Sequence, residues 1–244
     1  MNRVQSAFLV SVVFIAFFIM FYLAPMDLRA LDKIFITITI FLFATLTGFF
    51  VSKQSSRYTQ IVAKITDFDG NMSYLYRSSS AFGENAQSKI ADVIKKHYEK
   101  LLQAKDWDAY FNTKTTTLTD LNNLFVELTS PSNLTPAQNA FASRAYFGIA
   151  EMQKIRKNLI VLYNEKIPPF QWILLLLLTA ILIFAVASIP SYMLVAESLI
   201  KAAFASAIVA VLIMLYRMNT LTFYEDMAGL SSAKDVLEII DGKR

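Results

Sequence analysis

The chain contains no cysteine. That removes disulfides, thiolate metal ligands and a thiol nucleophile in one step. Histidine is nearly as scarce: in 244 residues there is only His97. An imidazole zinc site or a Ser-His-Asp arrangement would rest on that single ring, and no partner set accompanies it. Gly and Pro number six each, and no Gly-rich phosphate loop, internal repeat or low-complexity tract is present. Strand patterning, nucleophile elbows and metal-ligand spacings are also missing. The sequence therefore describes neither an enzyme nor a cofactor protein.

What is present is apolar. Hydrophobic residues make up 55% of the chain, Phe alone accounts for 20 residues, and mean hydropathy is +0.45. The apolar residues fall in blocks, which marks an integral membrane protein of the inner or plasma membrane. Net charge is +4. In such a protein that excess reads as a topology signal rather than a nucleic-acid footprint, so the expected partner is the lipid bilayer.

Four spans are expected, at about 7–24, 34–51, 170–189 and 192–216. The first follows Arg3, as a signal peptide would, but its apolar middle exceeds the usual ~7–15 residues and no small-x-small cleavage site follows, so it reads as an uncleaved anchor. Ile-Thr alternation opens the second span, "IFITITIFLFATLTGFFV". A lone strand in lipid would leave its backbone unpaired, so a helix is the form expected. The third begins just after Pro168 and Pro169, where the first helical turn tolerates proline. Lys53, Arg57, Lys64, Lys154, Arg156, Lys157 and Lys166 flank the middle segment, with Arg3 and Arg217 on the same side. The opposite side has only Arg29 and Lys33, offset by Asp27 and Asp32, and the uncharged "SIPSY" turn. The N-terminus, middle region and C-terminus are thus expected in the cytoplasm. The division is a transmembrane hairpin at 1–52, a cytoplasmic helical region at 53–167, a second hairpin at 168–217 and a tail at 218–244.

Two charges interrupt the fourth span. Counting back ~20 helical residues from Arg217 reaches Glu197, near the outer headgroup level, with Lys201 roughly 6 Å deeper. The i,i+4 spacing suits an ion pair, and a lysine stem can snorkel that distance. Two readings follow: an interfacial pair, or a charged ring at the outer mouth of a pore.

The middle segment is helical by period. Tyr58, Ile61, Val62, Ile65 and Phe68 carry the second span's phase onward. Ile90, Val93, Ile94, Tyr98, Leu101 and Leu102 form a stripe, with His97 beside it as a partly exposed helix residue. A shorter helix covers "TDLNNLFVELT". Thr135, Pro136 and Gln138 give a capping box that opens a helix running to about Asn164. "KDWDAYFNTKTTT" reads as a loop. Ser231 or Ser232 caps a short tail helix. The fold class is all-α: four transmembrane helices and a cytoplasmic helical bundle formed by extensions of spans two and three.

This layout resembles the bestrophin-like four-span family. The similar stretches are "YLYRSSSAFGENAQSKIADVIKKHY", "IRKNLIVLYNEKIPPFQWILLLLL", "FYEDMAGLSSAKDVLEII" and Arg57 after the second span. The resemblance implies a homo-oligomer, a pentamer as in bestrophins, forming an anion channel lined by the second span, with the Phe-rich "IFLFATLTGFF" as an apolar neck. It does not bring a calcium clasp, because Glu225 and Asp226 alone are not a site. Independently of the family, Thr37, Phe41, Ala44, Thr45 and Gly48 fall on one helical stripe. Such a stripe serves close helix packing or a Thr-lined pore gated by Phe. Arg57, Lys64 and Arg77 would attract anions if they faced an axis; headgroup contact is the other reading. The competing function is a non-conducting scaffold or sensor whose helical region binds a cytoplasmic protein partner.

Overall fold

The computed structural model describes residues 3–23, 33–104, 116–130, 133–189, 194–224 and 230–243. Every regular element among them is helical. In chain order they are α1 (Arg3–Leu23), α2 (Lys33–Ser78), α3 (Glu84–Ala104), α4 (Thr117–Thr129), α5 (Pro136–Asn164), α6 (Pro169–Ala187), α7 (Leu194–Asn219) and α8 (Leu230–Ile240), with short 3-10 turns at Ser79–Phe82 and Thr222–Tyr224. Three helical stretches are long and apolar enough to cross a membrane; they lie within Ile34–Phe82, Pro136–Ala187 and Val195–Asn219, and Ser11–Leu23 adds a shorter apolar helix.

The chain divides into two compact units. The first comprises Met1–Ser56 and Lys166–Phe223. Within it α1 packs along α7, where Phe21 meets Ala202 and Ala205 and is flanked by Phe14, Phe17 and Phe18. Alanines on α7 let the two backbones approach, and the Phe rings fill the space above them. Phe43 of α2 packs with Leu178 and Leu182 of α6 and Ile208 of α7. Further along, Phe50 joins Ile167, Leu175 and Leu215. The Ile167 backbone N–H donates to Asn219 Oδ1 at 2.7 Å, which gives a buried amide its partner just before the prolines. Trp172 and Tyr216 meet edge to face with centroids 6.2 Å apart.

The second unit comprises Arg57–Glu165 and Tyr224–Arg244. Its core holds Ile61, Ile65 and Phe68 of the stripe read on α2, with Met72 and Leu75 beyond them, Ile90, Ile94, Tyr98 and Leu101 of the stripe on α3, Leu121 and Phe125 of α4, and Phe141, Ile149, Met152, Ile155 and Leu159 of α5; Tyr58, Val62, Val93 and Leu102 are only half-buried. α5 starts as expected. Thr135 Oγ1 accepts from the Gln138 N–H, and Gln138 Oε1 accepts from the Thr135 N–H. Gly83 stands at φ +95°, a backbone that glycine alone adopts freely, between the 3-10 turn and α3.

Three expectations change. α2 is continuous over 46 residues, but the break read at the proline pair, which the structure keeps, means that α5 is not an extension of the next apolar helix. Pro168 is extended (φ −59°, ψ 147°) and Pro169 opens α6, so the third span has no helical extension. His97 is not partly exposed; it is 7% exposed. The tail helix begins at Leu230. The "KDWDAYFNTKTTT" loop lies almost wholly outside the described residues, as do Glu225 and Asp226.

Candidate functional site

In its first half α2 has two opposite faces. Thr39, Phe43, Thr47, Phe50 and Gln54 are buried. Thr37, Phe41, Ala44, Thr45 and Gly48 are all exposed, Phe41 to 67%. At about 100° per residue this second set spans about 100° of arc, roughly opposite the buried set. Ser52 continues it. The exposed surface has a second sector, of Phe35, Ile38, Leu42 and Phe49. One outward strip is apolar, and beside it runs a strip of mostly small and hydroxyl side chains that also carries two large ones, Phe41 and, at its start, Ile34. A Cβ added at Gly48 meets nothing within 4 Å, so within the protomer this glycine serves no close approach.

The three cations expected to attract anions have different surroundings. Arg57 is 2% exposed. Its Nε donates to the Leu162 carbonyl at 2.6 Å and its Nη2 to the Tyr163 carbonyl at 2.5 Å. These carbonyls end α5, where the helix has no internal donors left. A guanidinium fits there because it offers several N–H groups and a positive charge to the negative end of the helix dipole. Arg57 thus closes the end of a helix within its own protomer. Lys64 is paired with Asp67 at 2.9 Å on the surface. Arg77 is exposed in the last turn of α2.

In the first unit, Lys201 is 6% exposed and its Nζ donates to the Ile189 carbonyl, beyond the C-terminus of α6. Glu197, one turn earlier on the same face, is half-buried and acts on it electrostatically. Within the protomer the lysine is directed to the chain leaving α6. Thr47, Thr179, Ser198 and Ser206 also place buried hydroxyls in this unit, each without a hydrogen-bond partner among the described residues.

The second unit contains a polar cluster that pattern reading missed. Tyr98 Oη donates to Asp69 Oδ1 at 2.6 Å in the core. His97 Nδ1 lies 3.1 Å from Thr117 Oγ1, with its ring against Phe68 and Tyr98. Burial, followed by the positive charges of Arg156 and Lys100, pushes the imidazole pKa down to about 4. The phase of α2 could have flagged Asp69, since it falls between Ile65 and Met72 on the buried stripe. At the tail, Lys95 Nζ meets Asp241 Oδ1 at 2.6 Å, which raises the lysine pKa and lowers that of the carboxyl. Among the described residues no group of three or more His, Asp or Glu side chains is placed to hold a metal ion.

The comparisons with known proteins are consistent with this layout. The family model of the bestrophin-like domain matches residues 7–221. Neither the curated proteins nor the solved structures give a match. The match spans all the apolar helices and most of the helical unit, and the chain belongs to the bestrophin-like family.

Proposed function

We propose that the protein is one subunit of an oligomeric, anion-permeable membrane channel whose axis is lined by the outward small-and-hydroxyl strip of α2. The observation that carries this reading is the division of α2. One face is committed to the protomer's own core, while Thr37, Phe41, Ala44, Thr45 and Gly48 point away from it. Small and hydroxyl side chains along such a helix serve either close packing against a neighbouring helix or a water-lined axis, and in a ring of subunits this exposed strip is the one free to do the second. Phe41 is the large ring on that strip and would form its apolar constriction.

In this reading α1, the first half of α2, α6 and α7 are four spans, and the termini and the helical region lie in the cytoplasm. The functional segments are residues 1–52, 53–167, 168–217 and 218–244. One protomer has too few spans to enclose a pore, so a ring, as in the pentameric bestrophins, is required. With Arg57 used as a helix cap, electrostatic attraction of anions falls to Lys64 and Arg77. Lys201, bonded to the Ile189 carbonyl, and Glu197 beside it then act at the outer end. Native mass spectrometry in mild detergent tests the ring: about five subunits supports it, and a stable monomer or dimer rules it out. Phe41→Ala should then change anion flux from reconstituted vesicles.

A second reading is a non-conducting scaffold whose helical region holds a cytoplasmic protein. The exposed Phe147 on α5 favours it, because a large exposed ring is a common anchor for a partner. A stable monomer that captures one defined partner through residues 53–167 would select it.

A further inference from the structure

The last turns of α5 carry an exposed aliphatic pair. Val161 is 66% exposed, and Ile160 beside it is exposed as well. Neither belongs to the core of the second unit, and the channel reading makes no use of them. Lys154 and Lys157 stand on the same side of the helix. At about 100° per residue, Lys154, Lys157 and Val161 fall within about 60° of arc. Lys157 is exposed and forms no ion pair with the described residues. Lys154 lies 3.6 Å from Glu151 in a pair open to water. Glu165, just past the helix, lies in the field of Arg57. The stripe is therefore basic, with an aliphatic end.

The depth of that end is given by α2. Its apolar run stops at Val51, and Arg57 comes six residues later on the same unbroken helix. That is about 9 Å beyond the run. Arg57 donates to the Leu162 and Tyr163 carbonyls, so the end of α5 is held at the height of Arg57. Further back, a Cβ at Gly148 would lie 3.9 Å from the Asn71 and Leu75 side chains. α5 thus runs antiparallel to α2, and its last turns are the ones nearest the apolar run.

Beyond the hydrocarbon core the headgroup layer is roughly 5–8 Å deep on each side. Ile160 and Val161 stand at its outer edge. Lys157 and Lys154 start one and two turns further out, and their stems can reach back to the same layer. Aliphatic side chains beside lysines on one helix face are the pattern of an interfacial contact. The attraction of an anionic leaflet for lysine fades within a Debye length, about 8–10 Å, and this end of α5 lies inside that distance.

We infer that the last turns of α5 are a docking surface for anionic lipid, with Lys154 and Lys157 on the headgroup phosphates and Ile160 and Val161 set into the headgroup layer. The inference rests on the reading that the first half of α2 spans the bilayer. It does not require a pore.

The chain has no cysteine, so one introduced cysteine carries one fluorophore. Full-length Val161→Cys, Phe147→Cys and Leu42→Cys are labelled and placed in nanodiscs of phosphatidylcholine with phosphatidylglycerol. One lipid or the other carries a spin label at the head end of its acyl chain, at equal mole fraction, and iodide probes access from water. At position 161 the spin-labelled phosphatidylglycerol should quench about twofold more than phosphatidylcholine, or better. Position 147, four turns further out, should be open to iodide, and position 42 closed to it. Adding Lys154→Gln/Lys157→Gln should make the two lipids quench position 161 equally. Lys89→Gln, an exposed lysine paired with Glu127, should leave the preference in place.

Equal quenching by the two lipids at position 161 would overturn the inference. So would a preference that survives in the double variant, or one lost equally in Lys89→Gln. A label at 161 shielded from iodide and from both lipids would assign the face to a second copy of the chain instead. Iodide reaching 161 with 42 closed overturns the lipid surface alone. Iodide reaching 42 would show that α2 does not span, and the inference would fall with that reading.

Discussion

Arg57 Nη2 lies 2.5 Å from the carbonyl oxygen of Tyr163, 106 residues away in the chain. This contact and its partner to Leu162 fasten the end of α5 to α2. Hydrogen bonds from a charged donor contribute about 1.5–3 kcal/mol each, and a buried carbonyl left without one costs about 1–3 kcal/mol. Arg57→Met, which keeps the stem and removes the donors, should therefore destabilise the protein by about 3 kcal/mol. Arg57→Lys should recover part of that loss, because an ammonium reaches one carbonyl where the guanidinium reaches two. Thermal unfolding in one detergent checks both.

His97 titrates at about 4 in the folded protein against 6.5 in an exposed peptide. The folded pKa is depressed, so between these values the unfolded chain binds the proton and the folded chain does not. Stability is therefore complete above pH 6.5 and falls as the pH drops towards 4, by about 3 kcal/mol in all. His97→Phe removes the titrating group and should flatten this part of the curve. Unfolding measured from pH 7.5 to 4 on both proteins decides it.

Gly48 has open space where a Cβ would stand. Gly48→Leu should leave the protomer's fold intact and even stabilise the helix slightly, since Gly costs roughly 0.5–1 kcal/mol inside a helix. If α2 lines a shared axis, the same change narrows it. Unchanged circular dichroism with reduced anion flux is the expected pair of results, and unchanged flux in a conducting protein would count against the lining.

Thr135 and Gln138 form a reciprocal capping box at the start of α5. Thr135→Ala should cost about 1 kcal/mol, and Thr135→Asp should restore most of it through the same acceptor geometry. Denaturant unfolding of the two variants separates loss of the cap from a general effect of substitution.

Lys95 and Asp241 join α3 to the residue after α8 across 2.6 Å. The pair is exposed, so its effect on global stability is small. Its effect is local: Asp241→Asn should speed proteolytic trimming of the tail at low salt. The difference should shrink in high salt as the charges are screened.

How much of this was legible in the sequence depends on the distance over which each feature is decided. Hydrophobic period, a capping box and a proline pair are local. They gave the helices, the start of α5 at Pro136 and the break before α6, because each depends on residues within a turn or two. The absence of cysteine and of all but one histidine likewise narrowed the chemistry without any coordinates. The pattern also marked the strip of Thr37, Phe41, Ala44, Thr45 and Gly48, but period alone could not say whether it faced a neighbouring helix or away from the protomer. That was decided by α6 and α7, which pack on Phe43 and Phe50 instead.

The polar groups were decided furthest from their own sequence. Arg57 looks like one more basic residue below a span until the end of α5 arrives with two carbonyls. Lys201 looks like a snorkelling lysine until the chain leaving α6 offers the Ile189 carbonyl. His97 sits at the edge of its helical stripe, yet Phe68, Tyr98 and Thr117 close over it. Each of these three groups finds its partner far away in the sequence: the end of α5, the chain after α6 and the start of α4. The sequence by itself determined where the helices run and what chemistry is absent. The tertiary structure alone decided which cations are used up in holding the fold, and which faces are left for a ligand or another subunit.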